Sequence, residues 1–328
     1  MRRVPSTRTL LVLIAWALAV VTTVPACAHQ GVQQDAPTEA TATDQGAGAQ
    51  HAIDATDPPR RKLFNDDKLL MTNGVTTVEG SAGGGLSSWA VIPGMETNHG
   101  IGLSAFATGL SLRDFTLEAH GLAIGIKDRL ALSYARENFN TLSAGTALGL
   151  GHGYTFRQDI VGARLRLFGD SVYGPAVLPE VSVGAEFKHN LNGAVVRLIG
   201  AKQSAGTDFT ISATKLMLGQ SVLIATTFRL TNANQFGLLG FGGDRRAGRS
   251  GQFEGALGYQ ISRTLVVGGE VRTRPDNLGF AREIGAHDLF VAWSTGKHAT
   301  LTAAFVDIGP VATFRAQRGA YLSLQMTT

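Results

Sequence analysis

From about residue 100 to the C-terminus, apolar and polar residues alternate with a period of two. Across 181–188, Val181, Val183, Ala185 and Phe187 fall on one face, and Ser182, Gly184, Glu186 and Lys188 on the other. Residues 161–167 set Arg164 and Arg166 apart from the apolar face, and 265–272 set Leu265, Val267 and Val271 against Glu270 and Arg272. The terminal run 321–326 opposes Leu322, Leu324 and Met326 to Ser323 and Gln325. Alternation of this kind marks strands with two chemically different faces. Similar segments recur at 100–111, 115–126, 129–138, 207–217, 221–231, 251–260, 286–295 and 299–308. Some neighbours are joined by tight connectors such as Lys127-Asp128 and Gly219-Gln220, which suit hairpin turns. Others are separated by the longer polar or Gly-rich stretches 139–157, 190–206 and 232–250. Short turns alternating with long loops describe an up-and-down antiparallel meander. No stretch shows sustained helical periodicity, so the fold class is all-β.

The N-terminus has a different pattern. Arg2, Arg3 and Arg8 precede an apolar run from Leu10 to Val21 and then Thr-Thr-Val-Pro-Ala-Cys-Ala. A charged start, a short apolar stretch and a small-residue site are the parts of a cleaved export signal, expected over 1–28. Two cleavage readings stand. Ala26-Cys27-Ala28 fits cutting after Ala28; alternatively, 24–27 resembles a lipobox in which Cys27 is the lipidated first residue. Residues 29–62 are rich in Ala, Thr, Gln, Asp and Gly and poor in large apolar side chains. Such a segment cannot bury enough surface to offset its ordering entropy, so a flexible linker is expected.

The 266 residues of 63–328 remain for the folded domain. At roughly 20 residues per strand and connection they make about 13 strands, hence 12 or 14 where the count must be even. A soluble sandwich shows the same alternation. The export signal, strand lengths near those of membrane-spanning strands, and charge confined to one face favour an antiparallel up-and-down transmembrane β-barrel of 12–14 strands. The outer membrane of a Gram-negative bacterium is its expected location, with outer-membrane lipid and the barrel-assembly machinery as partners. An envelope partner could dock on the 29–62 linker.

With apolar residues facing lipid, Arg164, Arg166, Glu186, Lys188, Glu254, Glu270 and Arg272 point into the lumen. Four bases and three acids nearly balance, so strong ion selectivity is not indicated. Charges of both signs can pair across a lumen and plug it, or line a wet pore.

Composition narrows the chemistry further. Charged residues are 16% of the chain, Gly contributes 41 of 328 residues, and Pro only 10. Beyond residue 28 no apolar run approaches the length of a transmembrane helix. The net charge of +4 is scattered; Arg245, Arg246 and Arg249 sit among Gly, Asp and Ser as a solvated loop, and no nucleic-acid motif accompanies them. A single cysteine excludes a disulfide framework and a Cys-based zinc site. The eight histidines make no metal-ligand spacing. No Gly-x-Ser-x-Gly turn is present, and Ser81 between Gly80 and Ala82-Gly83 reads as a turn or strand kink. Gly83-Gly84-Gly85 lacks the Lys-Ser/Thr of a phosphate loop. No cofactor and no catalytic residue is expected.

Several blocks resemble a known family. They are 68–86, with Val78-Glu-Gly-Ser-Ala-Gly-Gly-Gly-Leu86; 206–215; 233–244, Ala-Asn-Gln-Phe-Gly-Leu-Leu-Gly-Phe-Gly-Gly-Asp; 274–279; and 318–325. Together they are similar to the exported proteobacterial proteins of the domain-of-unknown-function 3034 (DUF3034) family, over roughly 64–328. The resemblance implies an outer-membrane-type barrel and carries no activity, substrate or catalytic residues. Such barrels usually close on a terminal aromatic, where this chain has Gln-Met-Thr-Thr. The expected role is a narrow channel or transport-associated barrel for small solutes, not an enzyme. The alternatives are a non-conducting structural or interaction barrel and, from a different class, an outer-membrane hydrolase drawing on Asp208, His152 and loop serines.

Overall fold

The computed structural model describes residues 68–328 apart from 70 and 176. The export signal, Cys27 and the 29–62 linker lie outside the described residues. Twelve strands form a closed barrel in which each pairs antiparallel with its successor. They are β3 (Ile101–Leu112), β4 (Thr116–Ile126), β5 (Leu130–Asn140), β6 (Thr155–Phe168), β7 (Glu180–Asn190), β8 (Ala205–Met217), β9 (Val222–Thr231), β10 (Ser250–Ser262), β11 (Leu265–Arg272), β12 (Ala286–Ser294), β13 (Ala299–Asp307) and β14 (Arg318–Thr327). The last strand returns to the first, with Leu324 opposite Ala107 and Met326 opposite Ala105, so the wall has no free edge. Two further two-residue strands, β1 (Val75–Thr76) and β2 (Ala82–Gly83), pair with each other and belong to no wall.

The alternation in the sequence becomes the inside and outside of the barrel. Leu122, Tyr134, Val161 and Phe187 stand side by side on the outer face of β4 to β7, and all are exposed. Phe209, Phe228, Leu257, Leu289 and Phe305 continue that belt around the wall. An exposed apolar surface on every side is unstable in water and is what a bilayer solvates. One row nearer the long loops the belt ends: His120, Arg136, Asp159 and His189 are lateral neighbours there, and Arg136 Nε donates to Asp159 at 2.7 Å. Polar side chains at that level mark the change from hydrocarbon to interface.

The two ends of the barrel differ. At one end the connections are tight: 127–129, 218–221, 263–264 and 295–298, with the longer 169–179 as the exception. At the other end lie 141–154, 191–204, 232–249, 273–285 and 308–317, which contain the short helices α1 (Ala144–Ala147) and α2 (Gly193–Leu198) and a 3-10 turn at Asn234–Gly237. These long loops fold over the mouth. Leu238, Leu239, Leu278, Ile308 and Val311 pack with wall residues Leu110, Leu117, Phe139 and Phe156 into one apolar cluster. Phe115 stacks on Phe139 with ring centroids 5.1 Å apart.

The wall begins at Ile101, so residues before it have no place in the sheet. Residues 71–100 instead occupy the interior as a plug, and Val75 to Met95 are buried throughout. The plug starts at the short-turn end, where Lys68 pairs with Asp128 of the β4–β5 turn at 2.7 Å and Met95 N donates to the Thr328 carbonyl. Its far part, Val78 and Leu86, joins the apolar cluster beneath the long loops.

Candidate functional site

The plug meets the wall through charge. At its tip Glu79 accepts a bidentate pair from Arg272 of β11, Nη1 to Oε2 at 2.9 Å and Nη2 to Oε1 at 3.0 Å. Lys188 Nζ of β7 donates to the same carboxylate, and Arg229 of β9 lies 3.6 Å from it. Burial raises the Glu79 pKa, but Arg272, Lys188 and Arg229 outweigh it and hold the carboxyl well below the ordinary range. The plug end of this contact is therefore a carboxylate surrounded by three cations.

Those cations also bind the wall's own acids. Lys188 Nζ is 2.8 Å from Asp208 of β8 and 3.7 Å from Glu186 of β7. Arg229 donates to Glu254 of β10 at 2.5 Å, to Glu186 at 2.6 Å and to Asp208 at 3.2 Å. Glu79, Glu186 and Asp208 converge closely enough to suggest a metal cage. The Lys188 ammonium already stands among the three and supplies the positive charge they need. Inward positions on consecutive strands make this arrangement possible, because period-two geometry aims every second side chain at the axis.

Past Glu79 the plug stays bonded to the wall. Glu270 of β11 accepts from Leu86 N at 2.9 Å and from the Ser87 backbone and hydroxyl. Glu254 accepts from Ser88 N at 2.8 Å, and Thr227 of β9 donates to the Ser88 carbonyl at 2.6 Å. Ala90 N donates to Thr214 Oγ1 of β8 at 2.8 Å. A Cβ at Gly84 would stand 2.1 Å from a Glu270 carboxylate oxygen, so only glycine lets the plug backbone approach this closely. Two lumen cavities measure about 20 Å³ beside Arg164 and Glu186 and about 30 Å³ under the long loops. Each holds a water or so, and neither is a passage.

The short-turn mouth is roomier. A cavity of about 230 Å³ is lined by Lys68, Asp128, Arg166, Asp170 and Glu180 among others. Arg166 binds Asp128 there and reaches Asp170 at 3.1 Å. Nearby, Glu96 anchors the plug's return. It is fully buried, neither carboxylate oxygen has a hydrogen-bond partner in the protein, and burial pushes its pKa up to about 7. Its niche depends on Gly102 of β3 and Gly125 of β4, where a Cβ would come within 2.0 and 2.2 Å of its oxygens.

Of the seven residues assigned to the lumen from sequence, Arg164, Glu186, Lys188, Glu254, Glu270 and Arg272 are buried, and Arg166 is half-buried. The structure brings Glu186, Lys188, Glu254 and Arg272 into the Glu79 cluster, with Arg164 beside Glu186. Arg166 belongs to the short-turn mouth, and Glu270 holds the plug backbone. Sequence reasoning missed Glu79 and Arg229 and read Asp208 only as a hydrolase candidate. The signal for Arg229 was present: it stands between Phe228 and Leu230, on the parity of Ala225 and Thr227. Glu79 had none, because its segment follows no period. Asp208 is buried with Lys188, whereas His152 is exposed in the 141–154 loop. Ser81 is inside the plug, sharing hydrogen bonds with Thr77 and Ser88. Arg245, Arg246 and Arg249 are exposed in the 232–249 loop, Arg245 pairing with Asp276 at 2.7 Å.

Fold and site together define an outer-membrane-type β-barrel closed by its own N-terminal segment. The family model for proteins of unknown function DUF3034 matches residues 72–325, and the chain belongs to that family. Among solved structures it is similar to the KdgM porin (9% identity, TM-score 0.46, covering 68% of this chain and 98% of that one) and to the NanC porin (7%, 0.44, 68% and 98%). Outer membrane phospholipase A from Escherichia coli is also similar (8%, 0.39, 69% and 92%). None of these likenesses carries a residue role or an activity across. A comparison with curated proteins finds no match.

Proposed function

We propose that this protein is a gated passage for small solutes in the outer membrane of a Gram-negative bacterium, opened when the plug leaves the lumen. The export pattern at the N-terminus and the apolar belt support the location. One observation carries the gating: the lumen is filled by a segment of the same chain whose central contacts with the wall are charged and hydrogen-bonded, beside the apolar packing of Val75, Val78, Leu86, Trp89 and Val91. A filling selected only for stability would be apolar, since buried ion pairs stabilise no better than well-packed hydrophobic groups. A charged wall suits a lumen that is wetted in part of its cycle, because water can take over the bonds that the plug releases.

The test is a reversible lock. Ala90→Cys combined with Thr214→Cys puts a cysteine on each side of the plug–wall contact where Ala90 N donates to Thr214 Oγ1 at 2.8 Å. In planar bilayers the reduced double variant and the wild type should show gated openings, the oxidised form none, and reduction should restore them. Openings that persist unchanged on oxidation would remove the plug as the gate, and a wild type silent at every voltage would leave a non-conducting envelope barrel instead.

A further inference from the structure

Around Glu79 the wall carries four inward cations, Arg164, Lys188, Arg229 and Arg272, against three carboxylates, Glu186, Asp208 and Glu254. Further inward acids stand close by: Glu137 accepts from Gln158, Glu270 accepts from Leu86 and Ser87, and Asp288 lies opposite Glu270. Among all these acids it is the plug's carboxylate that the cations hold from three sides. Arg272 grips that carboxylate with two parallel N–H bonds, a geometry that matches a planar carboxylate. Lys188 closes it from another side, and Arg229 stands 3.6 Å away. Arg164 keeps one guanidinium nitrogen, Nη1, without a hydrogen-bond partner in the protein.

We infer that Lys188, Arg229 and Arg272 form a carboxylate-binding site on the lumen wall, that Glu79 occupies it as a tethered stand-in while the passage is closed, and that the solutes admitted are small carboxylates that compete for it. The solute half of this inference rests on the gated-passage reading; the wall site does not. A solute carboxylate that takes the place of Glu79 gives Arg272 and Lys188 an equivalent partner, so binding and unlatching are one exchange. The plug then acts as a competitive inhibitor built into the chain.

Chemical rescue tests the site. Glu79→Ala removes the carboxylate and leaves space beside the three cations; Glu79→Gln fills the space without charge. Folding is checked by the altered gel mobility of unboiled protein. Acetate, against chloride at equal ionic strength, is expected to raise the unfolding temperature of Glu79→Ala and to reduce its conductance about tenfold, equal to about 1.4 kcal/mol. Glu79→Gln should not respond, and Arg272→Gln in the Glu79→Ala background should abolish the response. A folded Glu79→Ala that ignores acetate, or an equal response in Glu79→Gln, overturns the site. The wild-type chain tests the solute: succinate should raise its open probability, and no change at saturating succinate overturns that half. If Glu79→Ala conducts and ignores acetate, the site falls and the passage stands. If no variant conducts while acetate stabilises Glu79→Ala, the site stands and the passage falls.

Discussion

Replacing Glu96 with Gln is expected to stabilise the plugged barrel at pH 8 and to leave it unchanged at pH 4. Glu96 is fully buried in a niche bounded by Gly102 and Gly125, and both of its oxygens lack a partner in the protein. Burial disfavours its charged form; Lys68 only partly opposes this, and the pKa rises from 4.5 to about 7. Between these two values the folded protein keeps a proton that the unfolded chain has lost, so stability falls as pH rises through that window. Above about 7 the loss is complete. It amounts to about 3 kcal/mol, at 1.36 kcal/mol per decade. Below about 4.5 both states are protonated and the cost vanishes. Gln has the size of the protonated acid and no charge to lose, so it removes the penalty and nothing else. Urea unfolding in detergent micelles, followed through the buried plug residue Trp89, reads the difference directly. Equal stabilisation at both pH values would mean that the gain is packing. A variant less stable at pH 8 would mean that Lys68 pairs with the carboxylate strongly enough to overcome burial, and the reasoning would be wrong.

Two further substitutions probe the lumen and the belt. Lys188→Met leaves Glu79, Glu186 and Asp208 facing one another without the ammonium among them and should cost about 3–5 kcal/mol; adding Asp208→Asn should recover part of it, and purely additive costs would place the two residues in separate networks. Leu289→Arg, on the outward face of β12, should cost about 2–4 kcal/mol in folding into lipid vesicles, whereas Leu198→Arg at the end of α2 should fold as the wild type does; equal tolerance would take Leu289 out of the hydrocarbon.

The wall was legible from sequence because a strand with lipid on one side and charge on the other leaves no ambiguity of parity. All twelve segments read from the alternation correspond to wall strands, with ends that shift by a few residues and a start of β6 at Thr155 rather than near 161. That shift has a cause: the 155–160 part of β6 carries Arg157 and Asp159 outward at the polar rim and Phe156 and Ile160 inward, so its alternation is opposite to that of 161–167. The inward set followed from the same parity. The plug did not. Residues 71–100 take their burial from the barrel around them, and their only strands are two residues long. Nothing in Val78-Glu79-Gly80-Ser81 distinguishes a carboxylate at the centre of a lumen from one on a surface turn; its partners lie more than 100 residues away in the chain.

The asymmetry between wall and plug bears on what happens when the two separate. Every wall strand has a neighbour on each side, and the ring closes through β14 and β3, so its backbone hydrogen bonds are complete without the plug. A lone hairpin of two-residue strands is not stable in water, and the plug's order therefore comes from the wall. Losing the plug exposes inward charges that water solvates readily, together with the apolar wall residues Leu216, Leu223, Val266 and Phe290 that the plug covers, while the outer belt stays in lipid. Withdrawal is then a local transition within a standing barrel. Its free energy is set by the Glu79 latch, the bonds from Leu86 to Ala90, the apolar packing of Val75, Trp89 and Val91 and the Glu96 niche, and the latch and the niche differ in kind. The latch weakens only when Glu79 is protonated, which its depressed pKa confines to acid below the ordinary carboxylate range, or when another carboxylate competes for Arg272 and Lys188. The niche weakens in the opposite direction, as pH rises toward about 7 and Glu96 ionises. Near neutral pH the latch is therefore fully charged while the niche already carries its ionisation penalty, so a carboxylate that displaces Glu79 acts on the restraint that pH leaves intact.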